Sequence, residues 1–184
     1  MPAVSAVGTQ TYFIVNNVRD FLKRMMSNNF FYEPLSERDE KRINCFLKIA
    51  QIVSTLSNCA SRQVGAILVR EKMIISTGTN GTPKGVLNCD EGGCDRCNAS
   101  SIPSGEQLDK CICVHAEENS VIQAAYNGIS TKDSMLFCTH KPCQECVKIL
   151  INAGVRRVFY INDYNVTYDD ALLKTIQLVQ WDIK

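Results

Sequence analysis

The sequence lacks any apolar run approaching the roughly 20 residues that a membrane-spanning helix needs. It also lacks a dominant charge: 20 basic residues stand against 19 acidic ones, a net charge of +1. Such a balance provides no field to hold a polyanion, which disfavours a nucleic-acid partner. The first basic residue is Arg19, so the basic start and apolar core of an export signal are both missing. Internal repeats and a linker are absent as well. Cysteine, by contrast, is plentiful, with ten in 184 residues. In an exported chain these would suggest disulfides. Without an export signal, and with C-x-x-C spacings, they point to metal binding in a reducing compartment, the cytoplasm. Hydrophobic content of 45% is enough for a real core.

The chemistry gathers at His115-Ala116-Glu117 and Pro142-Cys143-Gln144-Glu145-Cys146. One His and two Cys supply three zinc ligands and leave the fourth tetrahedral position open to water. Glu117 stands two residues from the His, in reach of that water's protons without binding the ion. The apolar helical pattern after His115 (Val121, Ile122, Ala125, stopping at Asn127-Gly128) puts His115 at a helix entrance and Glu117 in its first turn. Cys143 and Cys146, at i and i+3 behind Pro142, share one face of a second helix start, where the helix N-terminus stabilises thiolates. A structural zinc knuckle with an incidental Glu is the alternative, but structural sites take four protein ligands and this pair of motifs offers three plus a base.

H-x-E followed by P-C-x-x-C resembles the signature of the zinc-dependent cytidine and deoxycytidylate deaminases. The resemblance covers roughly residues 43 to 184. It extends to the Gly78-Thr79-Asn80-Gly81-Thr82-Pro83 loop, where deoxycytidylate deaminases carry G-Y-N-G-x-P and this chain has Thr79 for the Tyr. Asn88-Cys89, Gly92-Gly93-Cys94, Arg96-Cys97 and Cys111 to Asn119 look like the fungal-type members. The resemblance implies a cytidine-deaminase-like three-layer α/β/α fold and a small nucleotide substrate. It implies Glu117 as catalytic residue, with His115, Cys143 and Cys146 on the catalytic zinc. Asn80, Ala116 and Tyr164 would contact substrate. The implied reaction is dCMP to dUMP and ammonia, in a homo-oligomer, commonly a hexamer, activated by dCTP (with Mg²⁺ on the effector) and opposed by dTTP. Thr79 weakens the regulatory expectation. Another deaminase of the superfamily, acting on cytidine, deoxycytidine or tRNA, and a catalytically silent zinc-stabilised nucleotide-binding module are the alternatives.

Taken in order, residues 1–40 read as an N-terminal extension before a domain at 41–184. Tyr12 to Met26 has the pattern of a docked helix, and Asn28 to Pro34 that of an aromatic loop. Ser36 and Asp39 mark a helix start, followed by Ile43, Phe46, Leu47, Ala50, Val53 and Leu56 at helical spacing. Gln63–Val69 and Met73–Thr77 form a hairpin around Arg70-Glu71-Lys72. Thr82 to Lys110 is too long for a structureless loop. Cys89, Cys94, Cys97 and Cys111 are expected to anchor it on a structural zinc, with Cys113 left over as the substitute. Then come a strand over Ser134–Thr139, a helix after Pro142 ending at Gly154 and a strand over Arg157–Ile161. A helix over Thr167–Gln177 and a strand over Leu178–Ile183 complete the chain. The pattern gives an α/β fold with a mixed five-stranded sheet. Lys84, Arg62 and Lys141 flank the site as phosphate candidates, and His140 adjoins it.

Overall fold

The computed structural model describes residues 36–103 and 106–184. Of the expected N-terminal extension over residues 1–40, only 36–40 are described, and 37–40 form the first turn of the helix that follows; the expected helix over Tyr12–Met26 and the aromatic loop lie outside the described residues. The chain folds from a helix α1 (Glu37–Ser54) into strands β1 (Gly65–Arg70) and β2 (Met73–Thr79). A short helix α2 (Asp95–Asn98) follows within the cysteine-rich insert, flanked by single 3₁₀ turns at Cys89–Glu91 and Leu108–Lys110. Then come α3 (Ala116–Tyr126), β3 (Met135–His140), α4 (Gln144–Asn152), β4 (Arg157–Asn162), α5 (Asp170–Leu173) and β5 (Gln177–Gln180). Glu37–Lys184 is one compact unit.

The five strands lie in the order β2-β1-β3-β4-β5. β1 pairs antiparallel with both β2 and β3, whereas β3, β4 and β5 run parallel. The expected mixed sheet is thus observed, and alternation along each strand divides its two faces. Ala66, Leu68, Leu136, Cys138 and Val158 point into a core with Ala116, Ala124, Val147 and Leu150 of α3 and α4. On the other face Phe46 of α1 packs on Phe137 at 5.0 Å, Phe137 stacks on Phe159 at 5.1 Å, and Trp181 meets Phe159 edge-on at 6.0 Å. These offset and edge geometries suit aromatic quadrupoles. The Trp181 indole N–H donates to Asn44 Oδ1 at 2.9 Å, tying the segment after β5 to α1. Helices on both faces of one sheet make three layers.

Three expectations are corrected. The helix expected over Thr167–Gln177 is only Asp170–Leu173, capped by the Asp169 carboxylate on the Ala171 N–H. The Thr175 hydroxyl donates back to the Ala171 carbonyl, and Ile176 is drawn into the core. A β-branched residue bonded backwards competes with helix continuation. The last strand, expected over Leu178–Ile183, is Gln177–Gln180. Leu56, expected on the buried face of α1, is 78% exposed because the helix stops at Ser54.

The hairpin turn contains two residues rather than three. Arg70 pairs with Met73, and Glu71 and Lys72 both take positive φ, 51° and 68°. Two left-handed residues are the mark of a type I′ turn, which favours Asn-Gly. Replacing Glu71-Lys72 by Asn-Gly is therefore expected to stabilise the fold by about 1 kcal/mol, a Tm rise of a few degrees in thermal denaturation.

Candidate metal centre and cleft

The parallel strands β3 and β4 deliver the site. β3 ends at His140, and Lys141-Pro142 leads directly to Cys143; β4 ends at Asn162, followed by Asp163 and Tyr164. Ligand crevices in open α/β sheets lie beyond such carboxyl ends. His115 occupies the N-cap of α3 and Cys143 the N-cap of α4, both in extended conformation. A two-residue backbone bridge between Gly81 and Val114 holds the entrance to α3 in place. At Gly78 a Cβ would meet the Ala116 carbonyl at 2.2 Å and the Ser120 nitrogen at 2.4 Å. Only glycine lets the first turn of α3, with Glu117, lie flat on β2.

The two helix entrances bring three donor atoms together. His115 Nδ1 is 3.4 Å from Cys143 Sγ and 3.3 Å from Cys146 Sγ. For Zn–N and Zn–S bonds of about 2.05 and 2.3 Å, tetrahedral N···S edges are about 3.5 Å. The donor set therefore fits zinc in both type and spacing. Electrostatics agree. Interaction with Cys146, then the His115 ring, pulls the Cys143 thiol down to about 4, whereas Cys146 is pushed up by Cys143 first and by burial second. Two adjacent sulfurs without a cation accept only one negative charge, so the opposed shifts describe one pair. His115 is raised to about 9, chiefly by its contact with Cys143. A divalent cation held by His115, Cys143 and Cys146 would take the place of these protons.

Glu117 is 4% exposed, and burial raises its carboxyl to about 7 despite the opposing His115 charge. That value suits a group exchanging protons near neutrality. Cys138 is buried with it, and its thiol is pushed up by burial first and by the Glu117 charge second. His115, Ala116 and Glu117 line an open cleft, together with Asn80, Arg62, His140, Lys141 and Tyr164.

The family model for the cytidine and deoxycytidylate deaminase zinc-binding region matches residues 37–162. The chain belongs to this family. The deoxycytidylate deaminase of Schizosaccharomyces pombe is 41% identical over 128 residues, covering 70% of this chain and 39% of that protein. The deoxycytidylate deaminase of Saccharomyces cerevisiae is 33% identical over 164 residues, 89% of this chain and 50% of that one. The chain thus spans half or less of the length of these two relatives. The crystal structure of the cyanophage S-TIM5 dCMP deaminase in complex with dCMP and dUMP matches 80% of this chain and 99% of that chain, with TM-score 0.62 and 32% identity.

Within this deaminase domain the candidate substrate residues stand differently. Ala116, Asn80 and Tyr164 all line the cleft. The Asn80 amide is already engaged: its Oδ1 accepts from the Val64 N–H at 2.8 Å and from Ser57 Oγ at 2.7 Å, and its Nδ2 donates to the Arg62 carbonyl at 2.7 Å. It shapes the connector between α1 and β1, with one amide hydrogen left for a ligand. Burial, then the Cys143 and Glu117 charges, push the Tyr164 phenol up, and Arg62 lies 5.6 Å from its ring centroid. Lys141 is buried and pairs with Asp163 at 2.9 Å. Lys84 does not line the cleft and instead approaches the Tyr126 ring at 6.0 Å. His140 is half-buried, and burial followed by the Arg62 charge lowers its pKa.

The cysteine insert groups differently from the expected quartet. Sulfurs of Cys59, Cys89, Cys97 and Cys113 form one set of four, and those of Cys94, Cys97, Cys111 and Cys113 another. Cys113 belongs to both sets, and Cys59 was not among the sequence candidates. Cys59 lies far upstream of the insert, between α1 and β1, so spacing carries no sign of it. Cys138 escaped for a similar reason: only the sheet brings it beneath Glu117. Among the described residues no helix is long and apolar enough to cross a membrane.

Proposed function

We propose that this chain catalyses the hydrolytic deamination of dCMP to dUMP and ammonia. The observation that carries the reading is a buried carboxyl, Glu117, beside a His-Cys-Cys donor set in one open cleft. The cyanophage deaminase in complex with dCMP and dUMP, which this chain matches over 99% of that chain's length, supports the choice of substrate. In this reading His115, Cys143 and Cys146 hold zinc and leave a position open to water. When bound, zinc supplies a Lewis acid that makes hydroxide available near neutral pH.

Glu117 takes one proton of the water and delivers it to ring N3 as the oxygen adds to C4; it then takes the second proton from the new C4 hydroxyl and passes it to the departing amine, so that the C4 carbonyl forms as ammonia leaves. Its burial keeps bulk water from taking over either transfer. Ala116 and the remaining Asn80 amide hydrogen orient base and sugar, and Tyr164 closes over them. Arg62, held against the Tyr164 ring, is the cation we assign to the 5′-phosphate, because Lys141 is committed to Asp163. The family's regulatory pattern belongs to the same proposal: a cytoplasmic homo-oligomer, of hexamer type, activated by dCTP with Mg²⁺ and opposed by dTTP. Its support is the resemblance, with Thr79 in place of the loop aromatic.

The test is ammonia release from cytidine, deoxycytidine, CMP, dCMP and dCTP in parallel, with and without added dCTP and Mg²⁺. The expected result is strong preference for dCMP. Equal use of the nucleosides would overturn the phosphate assignment. Release only from a tRNA anticodon stem would move the chain to another branch of the superfamily. Zinc retention with tight nucleotide binding and no ammonia would make it a binding module.

A further inference from the structure

The six cysteines beside the cleft form two complete tetrads that overlap in two members, Cys97 and Cys113. We propose that they bind two zinc ions as one six-thiolate cluster, with Cys97 and Cys113 bridging. Cys59 and Cys89 then complete one tetrahedron, Cys94 and Cys111 the other.

The spacing supports ligation and excludes disulfides. Cys59–Cys97 is 3.8 Å, Cys94–Cys111 3.9 Å, Cys97–Cys111 3.5 Å and Cys97–Cys113 3.9 Å. Sulfurs around a tetrahedral zinc stand about 3.8 Å apart, whereas a disulfide requires about 2.05 Å. All six are free cysteines. A single ion would satisfy one tetrad and strand two thiols of the other. The stranded pair would be Cys59 and Cys89 or Cys94 and Cys111, and Cys89 and Cys94 are almost fully buried.

The Ala60 N–H points at Cys89 Sγ at 3.4 Å, a donor aimed at one outer corner of the cluster. Two zinc ions cancel four of the six thiolate charges. The buried Arg96 lines the same cleft and donates to Ser61 Oγ and to the Pro103 and Glu106 carbonyls.

The cluster would do more than anchor the insert. Cys59 lies on the connector that carries Ser61 and Arg62, and Cys59, Cys97, Cys111 and Cys113 line the cleft itself. Ligation of Cys59 fixes the cleft wall on which Arg62 stands.

The metal count of the full chain, by native mass spectrometry on zinc-loaded protein, tests this directly. Three zinc ions per chain are expected, two of them in the cluster. Cys59→Ser and Cys94→Ser should each lose one ion, since each leaves the opposite tetrad whole. A one-ion cluster gives two zinc ions per wild-type chain and leaves at least one of these variants unchanged, and either result overturns the proposal. Should a variant fail to fold, the wild-type chain loaded with cadmium decides. Its NMR spectrum should show two all-thiolate resonances coupled through shared sulfurs, and a single uncoupled one would refute the bridge. The nitrogen-bearing site at His115 resonates separately, so failure of the deaminase reading is distinguishable from failure of this one.

Discussion

A Glu117→Gln protein is expected to keep its zinc and lose turnover by about 10³-fold. Glu117 is not one of the three donors that face one another, so metal content measured by atomic absorption should match the wild type. The amide is nearly isosteric with the carboxyl, and the backbone bond from Ser120 Oγ to the Glu117 carbonyl survives the change. The entrance to α3 should therefore keep its shape. What disappears is the ability to accept and return a proton. Burial already raises the carboxyl to about 7 against its ordinary value, so a neutral amide adds no desolvation cost, and thermal stability should not fall. Substantial activity in this variant would refute the role proposed for Glu117.

Cys146→Ala should have a still larger effect, by a different route. Cys146 is 2% exposed in the first turn of α4, with its sulfur 3.3 Å from His115 Nδ1. Removing it leaves His115 and Cys143 as the only protein donors. The loss of zinc affinity should exceed the ~100-fold that losing an outer partner of a metal site costs. Turnover should fall to background and zinc content by one ion per chain. The site's contribution to stability should go with it, because metal binding is linked to folding. Circular dichroism separates this result from global unfolding. Zinc retained at the wild-type level with Cys146 removed would show that the ion is held elsewhere.

The different signatures of these variants follow from the local geometry. Glu117 and Cys146 lie on separate helices, and each helix begins at a residue facing the other. The base can therefore be altered without touching the metal, and the metal can be removed without altering the base.

The sequence by itself determined which three donors come together, and the sheet class. His115, Glu117, Cys143 and Cys146 are legible because their geometry is local: an N-cap and a first turn place donors within a few residues of one another, whatever the rest of the chain does. The hairpin and the short apolar runs of β1, β3 and β4 are legible for the same reason, since a run of roughly four to six apolar residues bounded by polar turns marks a strand buried on both faces. Tertiary structure alone decided what depends on distant segments. Cys59 joins the insert only because the α1–β1 connector passes beside it, and Cys113 proves central rather than spare. Asn80 reads as a ligand contact in a glycine loop, yet its amide is mostly spent on the connector. Lys141 reads as a phosphate candidate until β4 delivers Asp163 to it. The short α5 was misjudged because Ile176 answers to the core rather than to its own helical period. Local spacing encodes donors that share a turn, whereas packing between distant strands decides which side chains are already taken and which remain for a ligand.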